Sequence, residues 1–152
     1  MHRLSNLDFS VLMLDWSQAA ARALPLRVTV FVEEQQVPAD LEHDHWDALS
    51  VHALAVESTG RVLGTGRLLP DGHIGRMAVA REVRGRGVGS ALLQALVQAG
   101  VRHGHEQLLL HAQLHAIPFY SRHGFQVDGP EFMDAGILHA PMACRFPQWS
   151  SD

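Results

Sequence analysis

Three strand-like segments follow one another with almost nothing between them: Val51 to Glu57, Arg61 to Leu69 and His73 to Val79, separated by Ser58-Thr59-Gly60 and Pro70-Asp71-Gly72. Each linker is a turn signal far too short for the crossover that parallel strands need, so this stretch is expected to form an antiparallel meander. The flanks carry other periodicities. Phe9 to Leu14 suits a first strand, Ser17 is an expected N-cap, and Ala20, Leu24, Val28, Phe31 and Val32 recur at helical spacing. Pro25 lies inside that pattern and predicts a kink or two short helices. After the meander, Ser90 to His103 places Leu92, Leu93, Leu96, Val97 and Val101 on one helical face. Leu108-Leu109-Leu110 reads as a strand buried on both faces, Ala116 to His123 as a short helix, and Phe125 to Asp128 and Ile137 to Phe146 as the last strands. The sum is an α/β domain with a mixed, mostly antiparallel sheet of about six or seven strands and helices on both faces. Residues 1 to 152 are read as one domain.

The net charge of −4 argues against broad binding to nucleic-acid backbones, so an anion held by this chain is expected to be held locally. All 12 basic side chains are arginine, which excludes a lysine Schiff base or a lysine general base. No run of apolar residues is long enough to span a bilayer, and the N-terminus lacks the apolar core of a signal peptide. With a single cysteine, Cys144, this leads to the expectation of a cytoplasmic protein without membrane partners. The tightest cluster among the 11 histidines, His43-Asp44-His45, supplies two imidazoles to one face and no third ligand, so no metal is expected.

Between a strand ending near Val79 and a helix beginning near Val88 the chain reads Arg84-Gly85-Arg86-Gly87-Val88-Gly89-Ser90. Glycines let such a loop turn tightly with its N–H groups inward, and the helix behind it adds the positive end of its dipole. The result is an anion cradle. The spacing matches neither a triphosphate loop nor the dinucleotide fingerprint, and a plain glycine turn capping a helix stands beside the ligand reading.

Arg84-x-x-Gly87-x-Gly89 resembles the Gln/Arg-x-x-Gly-x-Gly/Ala motif of the GNAT superfamily of N-acetyltransferases. A second segment, Gln113-x-x-Ala116-x-x-Phe119-Tyr120-x-x-x-Gly124-Phe125, is similar to that family's Asn-x-x-Ala-x-x-hydrophobic-Tyr-x-x-x-Gly-Phe, with glutamine in place of asparagine. Val30 to Gln35, Gly64 to Leu68 and Leu110 to Ala116 further resemble a poorly characterised bacterial branch. The resemblance covers about residues 8 to 146.

The resemblance implies an acetyl-CoA-dependent transfer of an acetyl group from the thioester to a primary amine of a small molecule or peptide. It implies that strands four and five splay, with the cofactor's pantetheine arm pairing with the backbone of Met77, Ala78 and Val79. Backbone N–H groups of Gly85, Arg86, Gly87, Val88, Gly89 and Ser90 would hold the diphosphate, with charge from Arg84 or Arg86, and Gln113 and Phe119 would flank the cofactor. Tyr120 is implied as the acid that protonates the leaving thiolate. Many relatives carry a glutamate base on the fourth strand, whereas His73 to Val79 contains no carboxylate. Glu34, as base or amine binder, Glu33, His52 and His111 are the remaining candidates for that base or for the substrate site. The acidic stretch Asp40, Glu42, Asp44 and Asp47 is read either as an attractor for a cationic amine or as a solvated loop. Three further readings stay open: an acyl-CoA sensor or interaction module on the same fold, a metal-binding protein built on the histidines, and an enzyme using a longer acyl group. An edge strand makes a homodimer a further expectation.

Overall fold

The computed structural model describes residues 7–39 and 44–146. Asp40, Glu42 and His43 of the acidic segment lie outside the described residues.

Alternation of side chains builds the meander. Strands β1 (Phe9–Leu14), β2 (Val51–Glu57), β3 (Val62–Leu68) and β4 (His73–Val79) pair antiparallel in chain order. The sheet then continues through β5 (Gln107–Gln113), β8 (Ile137–Arg145) and β6 (Gln126–Val127), with β7 (Phe132–Asp134) also on β8. The β4–β5 pair is parallel and the others are antiparallel. This is the expected mixed sheet. It has eight strands because the three-residue β7, too short for a periodicity signal, also joins it.

Helix α1 (Trp16–Arg27) is capped by Asp15, which accepts from the Gln18 N–H, while Ser17 donates its hydroxyl to the same carboxylate. The cap thus falls two residues before the expected Ser17, because a carboxylate is the stronger acceptor for exposed N–H groups at a positive helix end. The helix also runs unbroken past Pro25 and passes directly into a π-helical segment, Val28–Glu34. That segment brings Phe31 and Gln35 to a cavity at the sheet.

Helix α2 (Val88–Arg102) covers the opposite face. A Cβ on Gly64 would lie 2.8 Å from Leu92 Cδ1 and one on Gly66 2.5 Å from Met77 Sδ and 2.9 Å from Leu96 Cδ1, so glycine at both positions lets β3 lie close under α2 without displacing these side chains. The core is built from Leu92, Leu93 and Leu96 against Leu63, Leu68 and Leu108, all buried. In β5 only alternate residues are buried: Leu108 and Leu110 face α2, Leu109 is half-buried and His111 is exposed. The expectation of burial on both faces of β5 therefore fails, since its other face opens onto a cavity.

The acidic stretch is not a solvated loop over its described part. His45–Leu49 forms a 3₁₀ turn capped by Asp44, and Asp47 within it is fully buried. Arg27 grips Asp47 through two bonds of 2.9 and 3.0 Å, and Arg67 reaches both Asp47 at 2.8 Å and Asp44 at 2.7 Å. Both charges are paired with arginines, Asp47 fully inside the protein and Asp44 with part of its side chain exposed. His52 is buried there too, its Nε2 2.8 Å from the Asp47 carbonyl.

Candidate active site

The sheet opens where β4 and β5 should continue pairing. They pair at His73 with Leu109 and at Ile74 with Leu110, and from Gly75 onward no described strand pairs that edge of β4. A bulge on β4 is the local cause. Between the pairs Thr65–Ala78 and Arg67–Gly75, β3 advances two residues while β4 advances three. The extra residue is accommodated at Arg76, which takes a left-handed φ of 49°, a conformation that costs energy outside glycine and persists only where packing enforces it. The consequence is a wedge-shaped gap with backbone groups of Met77 to Val79 on one side.

Two cavities use this gap. The first, about 470 Å³, is lined by Met77 and Val79 of β4, the loop residues Arg84, Gly85, Gly87, Gly89 and Ser90, and Phe119 of α3 (Ile117–Arg122). Gly87 caps α2 at φ 90°, and neither Gly85 nor Gly87 has an atom within 4 Å of where a Cβ would stand. The space over the helix N-terminus is therefore open to a ligand, and its exposed N–H groups suit an anion. Arg84 lies beside it, its Nε donating to the Val79 carbonyl at 2.9 Å and its guanidinium paired with Glu34 at 3.0 Å. The residues present fit a diphosphate.

The second cavity, about 500 Å³, lies over the β5 side of the gap and is lined by Phe31, Gln35, Trp46, Arg76, His111 and Tyr120 among others. Met77, His115 and Tyr120 line both cavities, so the two meet there. Tyr120 packs edge-on against Phe119 at 5.1 Å and Phe125 at 6.2 Å, and burial pushes its phenol up to about 12. A phenol in that state carries its proton at neutral pH and is able to donate it.

The residues singled out from sequence distribute unevenly. Met77, Val79, Arg84, Gly85, Gly87, Gly89, Ser90, Phe119 and Tyr120 come together around the first cavity. Ala78 and Val88 are buried and have only backbone to offer, and the Arg86 side chain is outside the lining. Gln113 lines the second cavity instead, donating to Gln35 at 2.8 Å. His111 is also in the second cavity, whereas Glu33 is exposed outside both and Glu34 turns to Arg84 and Arg81. Not singled out from sequence were Asp71, His73, Gly75 and His139, which line the second cavity together with His111. The Asp-x-His spacing of Asp71 and His73 was available as a signal, because it is the spacing at which a turn carboxylate reaches the next imidazole.

Residues 17–146 match the family model described as an acetyltransferase (GNAT) domain. The chain is 38% identical over 124 residues to the uncharacterized N-acetyltransferase YjcF of Bacillus subtilis, covering 79% of this chain and 88% of that protein. Its structure is similar to that of an acyl-CoA N-acyltransferase from Pseudomonas aeruginosa, with a TM-score of 0.80, 28% identity and coverage of 90% and 99% of the two chains. Escherichia coli ElaA is similar to the same degree, with a TM-score of 0.80, 27% identity and coverage of 90% and 99%. A splayed sheet, a glycine cradle at a helix N-terminus and a family match over most of its length thus lead to one conclusion: the chain belongs to the GNAT superfamily of N-acetyltransferases and is an acyltransferase that takes an acyl-CoA cosubstrate.

Proposed function

We propose that this enzyme is a cytoplasmic acetyl-CoA-dependent N-acetyltransferase that moves an acetyl group directly from the thioester to a primary amine of a small molecule or peptide. The observation that carries the reading is the meeting of two cavities at Met77 and Tyr120. One has the glycine cradle and an arginine for a diphosphate; the other has room for an acceptor. In this reading the diphosphate rests on the N–H groups between Gly85 and Ser90, and the pantetheine arm pairs with the unpaired edge of β4. A backbone N–H of Met77 to Val79 polarises the thioester carbonyl, and the Tyr120 phenol donates to the departing thiolate. Glu34 serves by holding Arg84 at the cradle. The name of the Bacillus subtilis relative supports the acetyl group.

Calorimetric titration with acetyl-CoA tests the reading. The wild-type protein is expected to bind, and a Gly87→Glu variant that keeps its circular dichroism spectrum is expected to lose binding, since a carboxylate would occupy and repel the diphosphate space. Tyr120→Phe should keep binding and lose most of its turnover of a primary-amine panel. A folded wild-type protein that does not bind acetyl-CoA would overturn the reading.

A further inference from the structure

The β4 strand has no carboxylate to act as base, yet the acceptor cavity has a wall made of imidazoles. His73 of β4, His111 of β5 and His139 of β8 all line it, and strand register puts them on one face of the sheet. Gln113 pairs with His139, and His73 pairs with Leu109, two residues from His111 on the same face. Gly75, next along the same face of β4, leaves open space where a side chain would stand, and it lines the same cavity as His111.

The rings are also oriented. Asp71 accepts the His73 backbone N–H at 3.0 Å with one carboxylate oxygen and contacts His73 Nδ1 at 3.0 Å with the other. That clamp puts a proton on Nδ1 and fixes the ring. His73 lies edge-on to His111 with centroids 5.5 Å apart. On the other side Phe132 meets His111 edge-on at 4.9 Å and stacks on His139 at 5.8 Å, while His139 Nδ1 is tied to the Ile137 carbonyl at 2.7 Å. His111 is thus the one imidazole of the row held between rings from both sides, with no described hydrogen-bond partner for either nitrogen.

Resting on the acetyltransferase reading above, we propose that His111 is the general base of the transfer and that the Asp71–His73 pair is a positioning element that holds its ring and sets the pH at which it works. An acceptor arriving as ammonium gives one proton to His111, and its freed lone pair forms the C–N bond at the thioester carbonyl. The C–S bond breaks, the thiolate takes the Tyr120 proton, and the amide nitrogen returns a proton to the phenolate. The net products are amide, thiol and one proton, which leaves His111 for solvent past His73.

The charged neighbours of His111 come from every packed element: His73 with Asp71 from the β4 side, Asp134 at the end of β7 and His139 on β8. Although the residue as a whole is exposed, the partial desolvation of its ring, then His73 and to a smaller extent His139, lower its basicity from that of an ordinary histidine, and Asp134 works the other way. The acid limb of kcat/KM is therefore expected on the low side of the ordinary histidine value.

The test is the pH dependence of kcat/KM with a primary-amine panel, or with water as acceptor through acetyl-CoA hydrolysis where no panel amine is taken. The limb is compared with the His111 titration followed by NMR of the imidazole carbons. His111→Gln should lower turnover at least about 100-fold, leave acetyl-CoA affinity unchanged, and regain part of the rate with added imidazole. His73→Gln, removing the side chain that lowers the His111 basicity, should move both the limb and the NMR titration of His111 to higher pH. Asp134→Asn should move both to lower pH. The proposal is overturned if His111→Gln retains wild-type turnover, or if the two neighbour variants leave the limb in place. Failure of the wild-type protein to bind acetyl-CoA overturns the function itself, and binding without any turnover overturns both.

Discussion

Beside the second cavity, Arg27, Arg67 and Arg76 are bonded to Asp44 and Asp47; beside the first, Arg84 stands half in solvent at the glycine loop. Both groups are arginine–carboxylate arrangements, and both border a cavity. Their surroundings differ. The Arg27 and Asp47 side chains are each 1% exposed, and Arg27 also lies over the Trp16 ring at 5.4 Å. Arg84 is 42% exposed and shares Glu34 with Arg81. A buried pair has no water to replace a lost partner, whereas an exposed one does. The buried network therefore shapes the cavity wall and the bulged β4, and the exposed arginine remains available to a ligand.

The sharpest way to break this contrast is Asp47→Ala. It leaves Arg27 and one bond of Arg67 without their carboxylate in a dry site, for an expected loss of about 3–5 kcal/mol by denaturant unfolding. A loss below about 1 kcal/mol would place the network in the same class as the surface pairs. Acid provides a second and smaller challenge. Burial would raise the Asp44 carboxyl, but hydrogen bonding and charge from Arg67, then Arg76, hold it down to about 2. Asp47 is lowered in the same way, burial being outweighed by Arg27 and Arg67. Because the folded value lies below the unfolded one, the stabilisation is present above about pH 4 and is lost as pH falls toward about 2. Asp44 alone should account for about 2 kcal/mol of that loss. Unfolding free energies measured at successive pH values check it: Asp44→Asn should flatten the acid slope, and a slope unchanged by that substitution would remove Asp44 from the account.

The same contrast explains what could be read from the chain. The glycine cradle and the Tyr120 segment are local: their parts lie within a few residues of one another, so the motif and its helix could be read together. The meander was legible for the same reason, its connections being four residues long. The charged network was not. Its partners are 20, 23 and 32 residues apart, and a run such as Asp44 to Asp47 looks solvated until a sheet delivers Arg67 and Arg76 to it. The imidazole wall was hidden likewise, since strand register alone brings His73, His111 and His139 to one face. Gly75 carries no signal by itself; its meaning is the space it leaves beside His111.

Arg84→Ala sharpens the comparison from the exposed side, where the expected effect on stability is smallest. The Glu34 pair is open to water, so its removal should cost less than about 1 kcal/mol in unfolding experiments. Acetyl-CoA affinity should fall by about tenfold, or roughly 1.4 kcal/mol, the scale of one charge-assisted contact to a diphosphate at a wet site. Raising the salt concentration should narrow the difference between wild type and variant, because screening weakens an exposed contact more than a buried one. A variant that unfolds readily but binds acetyl-CoA normally would mean that Arg84 belongs with the buried arginines, bracing the loop against Val79 and Glu34, and that the cradle holds its anion through backbone N–H groups alone.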